Sequence, residues 1–181
     1  MEIVDLAIQT ERIREQAAAL LVEHFDDPYG WPSLPTAIQE VDRVSMEGFS
    51  RAMLDAGIVL GWIGGLPEYD GRVWELHPMV VRRECRHHGI GRILVAAFES
   101  EAAARGGLTA TLGTDDVSGM TSLSGVDLYA ELPRKLAELT DLGRCHPFLF
   151  YQKLGFVVTG VMPDANGLGR PDIYMSKRIA R

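Results

Sequence analysis

The sequence has little of what would signal a disulfide framework, a structural metal or a membrane anchor. It holds two cysteines in 181 residues, Cys85 and Cys145, without CxxC spacing. That excludes a cysteine-built zinc site and a disulfide scaffold, and it suits a reducing compartment. No run of about 18 apolar residues occurs, and the opening MEIVDLAIQTER has no basic-then-apolar leader. Neither a membrane span nor export is signalled, so a cytoplasmic setting is expected. Positive charge is short too: 18 Lys and Arg stand against 25 Asp and Glu, a net charge of −7. Such a balance disfavours nucleic acid or an anionic membrane surface as partner and suits a cationic or neutral one.

What is present is enough for one sizeable core. A chain of 181 residues, 46% hydrophobic and without internal repeats, reads as a single domain spanning residues 1–181. Glu2 to Ile8 alternate like a strand, and Thr10 offers an N-cap to a helix with Ile13, Ala17, Leu20 and Leu21 on one face. DDPYGWPSLP, residues Asp26 to Pro35, is too rich in proline and glycine to be regular, yet carries Tyr29 and Trp31. Those rings serve either as core or as a substrate wall. Thr36 and Gln39 form a capping box for a second helix ending near Gly48, and a hairpin follows around Ala56-Gly57.

Next come a strand from Val73 to Arg82, a basic turn, a helix from Ile90 to Ala104 and a short β-rich run from Gly107 to Thr114. A helix between two strands makes them parallel, so this is a βαβ unit. Beyond a loop and a partly helical stretch, HPFLFYQKLG is a short helix closed by Gly155, and FVVTGVM and PDIYMSKRI are strands. The order implies an α/β fold with a mixed sheet.

Two features of the βαβ unit point to a ligand. Pro78 has no N–H, so one ladder rung must be missing, and proline inside a sheet is confined to a bulge or an edge. A strand that splays there leaves backbone groups for an extended amide such as pantetheine. In RHHGIG, Gly89 and Gly91 stand where a helix begins, so backbone N–H groups and the helix dipole can meet a pyrophosphate, with Arg82, Arg83, Arg86 and Arg92 nearby. A plain capping turn is the bland alternative. Neither GxGxxG nor GxxxxGK[ST] is present.

The spacing Arg86-x-x-Gly89-x-Gly91 after an apolar strand resembles the acetyl-CoA-binding motif of the GNAT N-acetyltransferases. WELHPMVV, LGTDD, TSLSGVDLY, HPFLFYQKLGF and GVMPDANGLGRPDIYM are together similar to type I aminoglycoside 6'-N-acetyltransferases over most of Gly61 to Met175, with a looser match in the N-terminal part. The resemblance implies a GNAT fold, a mixed central sheet with a splayed parallel strand pair flanked by helices. It also implies acetyl-CoA as co-substrate with no metal, an aminoglycoside or other cationic amine as acceptor, and a homodimer. Val80, Val81, Arg86, His87, His88, Gly89, Ile90, Gly91 and Arg92 would bind the cofactor.

Direct amide formation needs a free amine, a polarised thioester carbonyl and a protonated leaving thiolate. Glu75, in the strand before the proline, fits a general base or a simple ion pair. The N–H of Met79 fits the thioester oxygen, with its side chain expected in the core. Tyr151 corresponds to the tyrosine that GNAT enzymes aim at the CoA sulfur, or is a core residue of its helix. Asp115 and Asp116 follow a strand end, where ligand crevices open, and with Glu75 could form an acidic wall to which Asp172 adds. Trp31 and His77 complete the acceptor candidates. Neither cysteine is needed as a nucleophile. An acetyltransferase of another amine, a polyamine or a protein lysine, and a non-catalytic acyl-CoA-binding module remain alternatives.

Overall fold

The structure, a computed structural model, describes residues 1–25 and 30–180. Tyr29 lies outside the described residues. Contacts divide the chain into two compact units, Met1–Ala110 with the residues from Ile179 onward, and Thr111–Arg178.

The first unit contains β1 (Glu2–Asp5), α1 (Glu11–His24), α2 (Leu34–Glu47), β2 (Phe49–Asp55), β3 (Ile58–Glu68), β4 (Val73–Val81) and α3 (Ile90–Ala104). β1 to β4 pair antiparallel in chain order. The alternation read as a strand through Ile8 stops at Asp5, because the Asp5 carboxylate accepts the Ala7 N–H at 3.0 Å and turns Leu6 inward as a 3-10 turn. α2 starts earlier than the Thr36–Gln39 pattern predicts. Ser33 is the N-cap: its Oγ accepts the Thr36 N–H at 3.4 Å, and Thr36 Oγ1 accepts the Ser33 N–H at 3.3 Å. Pro35 is tolerated in that first turn, where an N–H would have no partner within the helix.

The Ala56-Gly57 turn has positive φ at both residues, 47° and 77°, which suits the twist of a two-residue hairpin. The core of this unit gathers Leu20, Leu21, Val41, Val44, Ala52 and Val59 around the fully buried Trp62. The Trp62 indole N–H donates to the Ala17 carbonyl at 3.0 Å, tying β3 to α1. A second cluster joins Phe98 of α3 to Phe49, which stacks on Trp74 with centroids 5.1 Å apart. Gly65 is required there: a Cβ would run into the rings of Phe49 and Phe98.

β5 (Thr109–Asp115) begins beside β4, the N–H groups of Leu108 and Thr109 both donating to the Arg72 carbonyl at 2.8 and 3.2 Å. With α3 joining the two strands, the expected mixed α/β arrangement with a parallel pair is present. The second unit holds the rest of β5 with α4 (Leu132–Ala137), α5 (Phe148–Lys153), β6 (Val157–Met162) and β7 (Asp172–Arg178). β7 lies next to β5 and pairs antiparallel with β6. Gly155, at φ 90°, ends α5 in the left-handed conformation that its sequence position predicts. Among the described residues no helix is long and apolar enough to cross a membrane.

Candidate active site

β4 carries the irregularity that Pro78 requires. On β3 the register moves two residues, from Ile63 to Gly65, while on β4 it moves three, from Met79 to Leu76. The extra residue of this bulge lies at His77-Pro78, and Gly64 faces it so closely that a Cβ would strike the His77 carbonyl. The Arg82 N–H donates to the Leu60 carbonyl at 2.8 Å. Because amides of an antiparallel strand alternate in direction, residue 80 and then residue 78 also turn towards β3, while the N–H groups of Val81 and Met79 point to the opposite edge. Proline thus removes a donor on the β3 side, where the bulge has already broken the ladder. The missing rung is one towards β3.

The turn after β4 leads into a helix start without a side-chain cap. A 3-10 turn at Arg83–Cys85 is followed by Arg86, whose Nε donates to the Val81 carbonyl at 3.2 Å. His87 and Gly89 both have positive φ, 64° and 84°, and Gly89 is the N-cap of α3. Glycine has no side chain with which to satisfy the first amides of the helix, so those of Ile90, Gly91 and Arg92 lack an intrahelical partner and the positive end of the dipole is open. Arg86, His87, His88 and Arg92 are exposed around it, whereas Ile90 is buried and anchors the helix. The residues present therefore fit a pyrophosphate.

Burial along β4 alternates strictly, so Glu75, His77, Met79 and Val81 are the half-buried residues between the buried Trp74, Leu76, Pro78 and Val80. Met79, expected in the core, is only partly buried. Partial burial, then the negative charge of Glu75, pushes the Glu68 carboxyl above its ordinary value. His77 is held from α2: its Nε2 lies 3.0 Å from Glu40 Oε1. Trp31 lies against the same imidazole, ring centroids 6.1 Å apart, and meets Phe25 edge-on at 5.2 Å.

In the second unit Asp115 and Asp116 have different fates. Asp116 is fully buried. Its Oδ1 accepts the Met120 N–H at 2.6 Å, and its Oδ2 accepts the Thr121 N–H and hydroxyl at 2.8 and 2.7 Å. Expected in an acidic wall, it is a clamp for the following loop, because both oxygens are occupied within that loop. Asp115 accepts from the side-chain amide of Asn166. The Asp172 carboxylate packs against Gly113, where a Cβ would strike it. Tyr151 is buried in α5 between Phe150 and Phe156, with centroids at 5.1 and 5.6 Å. Burial pushes its phenol well above the ordinary value, so it stays protonated at neutral pH.

The profile of the Acetyltransferase (GNAT) family matches residues 14–122, more than half of the chain. The chain belongs to the GNAT acetyltransferases. Among solved structures, an aminoglycoside 6'-N-acetyltransferase complexed with coenzyme A is 39% identical, with TM-score 0.92 over 99% of this chain and 97% of that one. The aminoglycoside 6'-N-acetyltransferase from Enterococcus faecium is 38% identical, with TM-score 0.90 and the same coverage. An aminoglycoside 6'-acetyltransferase type Ii is 33% identical, with TM-score 0.75 over 99% and 97% of the two chains. Among curated protein sequences none matches significantly.

This GNAT enzyme contains polar residues near the candidates that its sequence does not single out. Glu40 sits among ordinary helix ion pairs, to Arg43 and through it to Glu47, and nothing local marks its contact with a residue 37 positions away. Asn166 lies in a glycine-rich loop. His146 is buried: the Phe148 N–H donates to its Nδ1 at 3.2 Å, so Nε2 carries the proton and donates to the Asp115 carbonyl at 3.2 Å. Burial lowers its pKa below 6.5, against the opposing carbonyl bond and the charges of Asp116, Asp141 and Asp115.

A histidine that stays neutral in the fold but titrates at 6.5 when unfolded gives stability that is complete above that pH and lost as pH falls towards the folded value. His24, lowered chiefly by burial, acts with the same sign. The urea midpoint is therefore expected to fall between pH 7.5 and 5.5, and less steeply in His146→Gln. An equal slope in that variant would assign the dependence elsewhere.

Proposed function

We propose that this GNAT enzyme transfers the acetyl group of acetyl-CoA to the 6'-amine of an aminoglycoside. The observation that carries the reading is full-length likeness, at 39% identity, to an aminoglycoside 6'-N-acetyltransferase. The acidic charge of the chain agrees with a polycationic acceptor.

In this reading the open amides at the start of α3, with Arg86, His87, His88 and Arg92, take the pyrophosphate. Val80 and Val81 flank the pantetheine arm, and the Met79 N–H, directed away from β3, polarises the thioester oxygen. Glu75 removes a proton from the acceptor ammonium, directly or through water. The amine lone pair then forms the C–N bond, the C–S bond breaks, and the thiolate takes a proton from Tyr151, which regains one as the amide nitrogen loses its second. Trp31 and His77 hold the sugar, and Asp115 takes a further ammonium of the acceptor. A cytoplasmic setting is supported by the free cysteines Cys85 and Cys145, and a homodimer by family resemblance. Acetylation of the drug would make resistance one outcome of the activity.

A CoA-release assay across kanamycin, tobramycin, spermidine and a lysine peptide tests the acceptor class. Turnover on the two aminoglycosides is expected, and activity confined to spermidine or the peptide would overturn it. Asp115→Asn should weaken aminoglycoside binding about tenfold to a hundredfold, the usual worth of a hydrogen bond to a charge, while acetyl-CoA affinity stays unchanged. Equal losses for both ligands in calorimetry would mean a damaged scaffold.

A further inference from the structure

We propose that Glu40 is a positioning residue of the acceptor site: its carboxylate fixes the His77 ring with Nε2 protonated and leaves Nδ1 as the hydrogen-bond acceptor for an ammonium or hydroxyl of the aminoglycoside. The proposal rests on the acceptor class argued above and adds to it a residue of α2.

Glu40 differs from the helix partners around it. Its side chain is 13% exposed against 57% for Glu47, and it reaches from α2 to β4. Arg43 grips both its oxygens, Nε to Oε2 at 2.9 Å and Nη2 to Oε1 at 2.7 Å, so the carboxylate has little freedom to rotate away from His77. Burial pushes the Glu40 carboxyl up, but the hydrogen bonds from His77 and Arg43 outweigh it and bring it to about 2. An ionised carboxylate only accepts, so the shared proton belongs to His77 Nε2. The ring makes no other hydrogen bond among the described residues.

Among the described residues nothing hydrogen-bonds to His77 Nδ1. Trp31 covers part of the imidazole, Gly64 abuts the His77 backbone, and Glu75, two positions away, is half-buried on β4. Among the described residues, Glu40 with its bound Arg43 from α2 and Glu75 on the strand itself are charged groups on this side. A neutral imidazole free of restraint exchanges between tautomers, and the one with hydrogen on Nδ1 turns a donor towards a cationic ligand. The Glu40 contact removes that form, and beside Glu75 the pair offers two acceptors to one ammonium.

The test is long-range ¹H–¹⁵N NMR of the imidazole in the full chain with coenzyme A bound, joined to a kinetic cycle with Glu40→Leu, Glu40→Gln and His77→Ala. Neutral His77 should carry its proton on Nε2, and Glu40→Leu should bring in the Nδ1–H form. Glu40→Leu should raise the kanamycin KM about tenfold to a hundredfold with the acetyl-CoA KM unchanged, and should cost nothing further in a His77→Ala background. Glu40→Gln, whose amide oxygen can still accept from Nε2, should recover most of the loss. A proton on Nδ1 in the unmutated protein overturns the proposal without any variant, and so does an equal cost of Glu40→Leu with and without His77. Failure of the unmutated protein to acetylate any aminoglycoside would overturn the acceptor assignment instead, while the tautomer still reports whether Glu40 positions the ring.

Discussion

Gly91→Val is expected to weaken acetyl-CoA binding about tenfold to a hundredfold while the protein stays folded. Gly91 is the second residue of α3, in the first turn after an N-cap that supplies no side chain. An anion held by those amides must approach the backbone closely, and a branched side chain keeps it away. Valine forms helix better than glycine, so lost binding could not be ascribed to a melted helix. Calorimetry with acetyl-CoA, with far-UV dichroism as the control for folding, gives the answer. Unchanged affinity in a folded variant would remove the turn from the cofactor site.

Glu75→Gln is expected to lower turnover on 6'-amino aminoglycosides by about 10²–10⁴, the usual worth of general-base assistance, with acetyl-CoA affinity nearly unchanged. The amide keeps the shape of the side chain and removes the base. Glu75 is half-buried on β4 two residues before His77, so its loss should be felt in the acceptor step. The open amides of α3 are a separate element, and cofactor binding should not register the change. Single-turnover acetyl transfer, with calorimetry for the cofactor, separates the two quantities. Full activity in the variant would leave acetyl transfer standing and take Glu75 out of its chemistry.

What the sequence discloses follows the range of its signals. α3 has the bounds that a glycine start and a 3.6-residue apolar pattern predict, Ile90 to Ala104, because helix start and periodicity are local. Pro78 likewise announces its bulge, since a missing N–H is a local fact. Pro35 misleads for the complementary reason: in a first helical turn the missing N–H costs nothing, and only the Ser33 cap reveals that the helix has begun. Asp115 and Asp116 look equivalent as neighbours in the chain. Their roles diverge through contacts with Asn166 on one side and the Met120-Thr121 amides on the other. The Glu40–His77 contact joins a helix to a strand across 37 residues, and no periodicity carries that pairing.

The central claim, acetyl transfer to a 6'-amine, is tested most directly by neomycin and paromomycin, which differ only in an amine or a hydroxyl at that position. Neomycin should release CoA with acetyl-CoA present and give a product acetylated on the 6'-nitrogen by NMR, while paromomycin should bind without turnover. Equal acetylation of both, or acetyl placed on another nitrogen of neomycin, would contradict it.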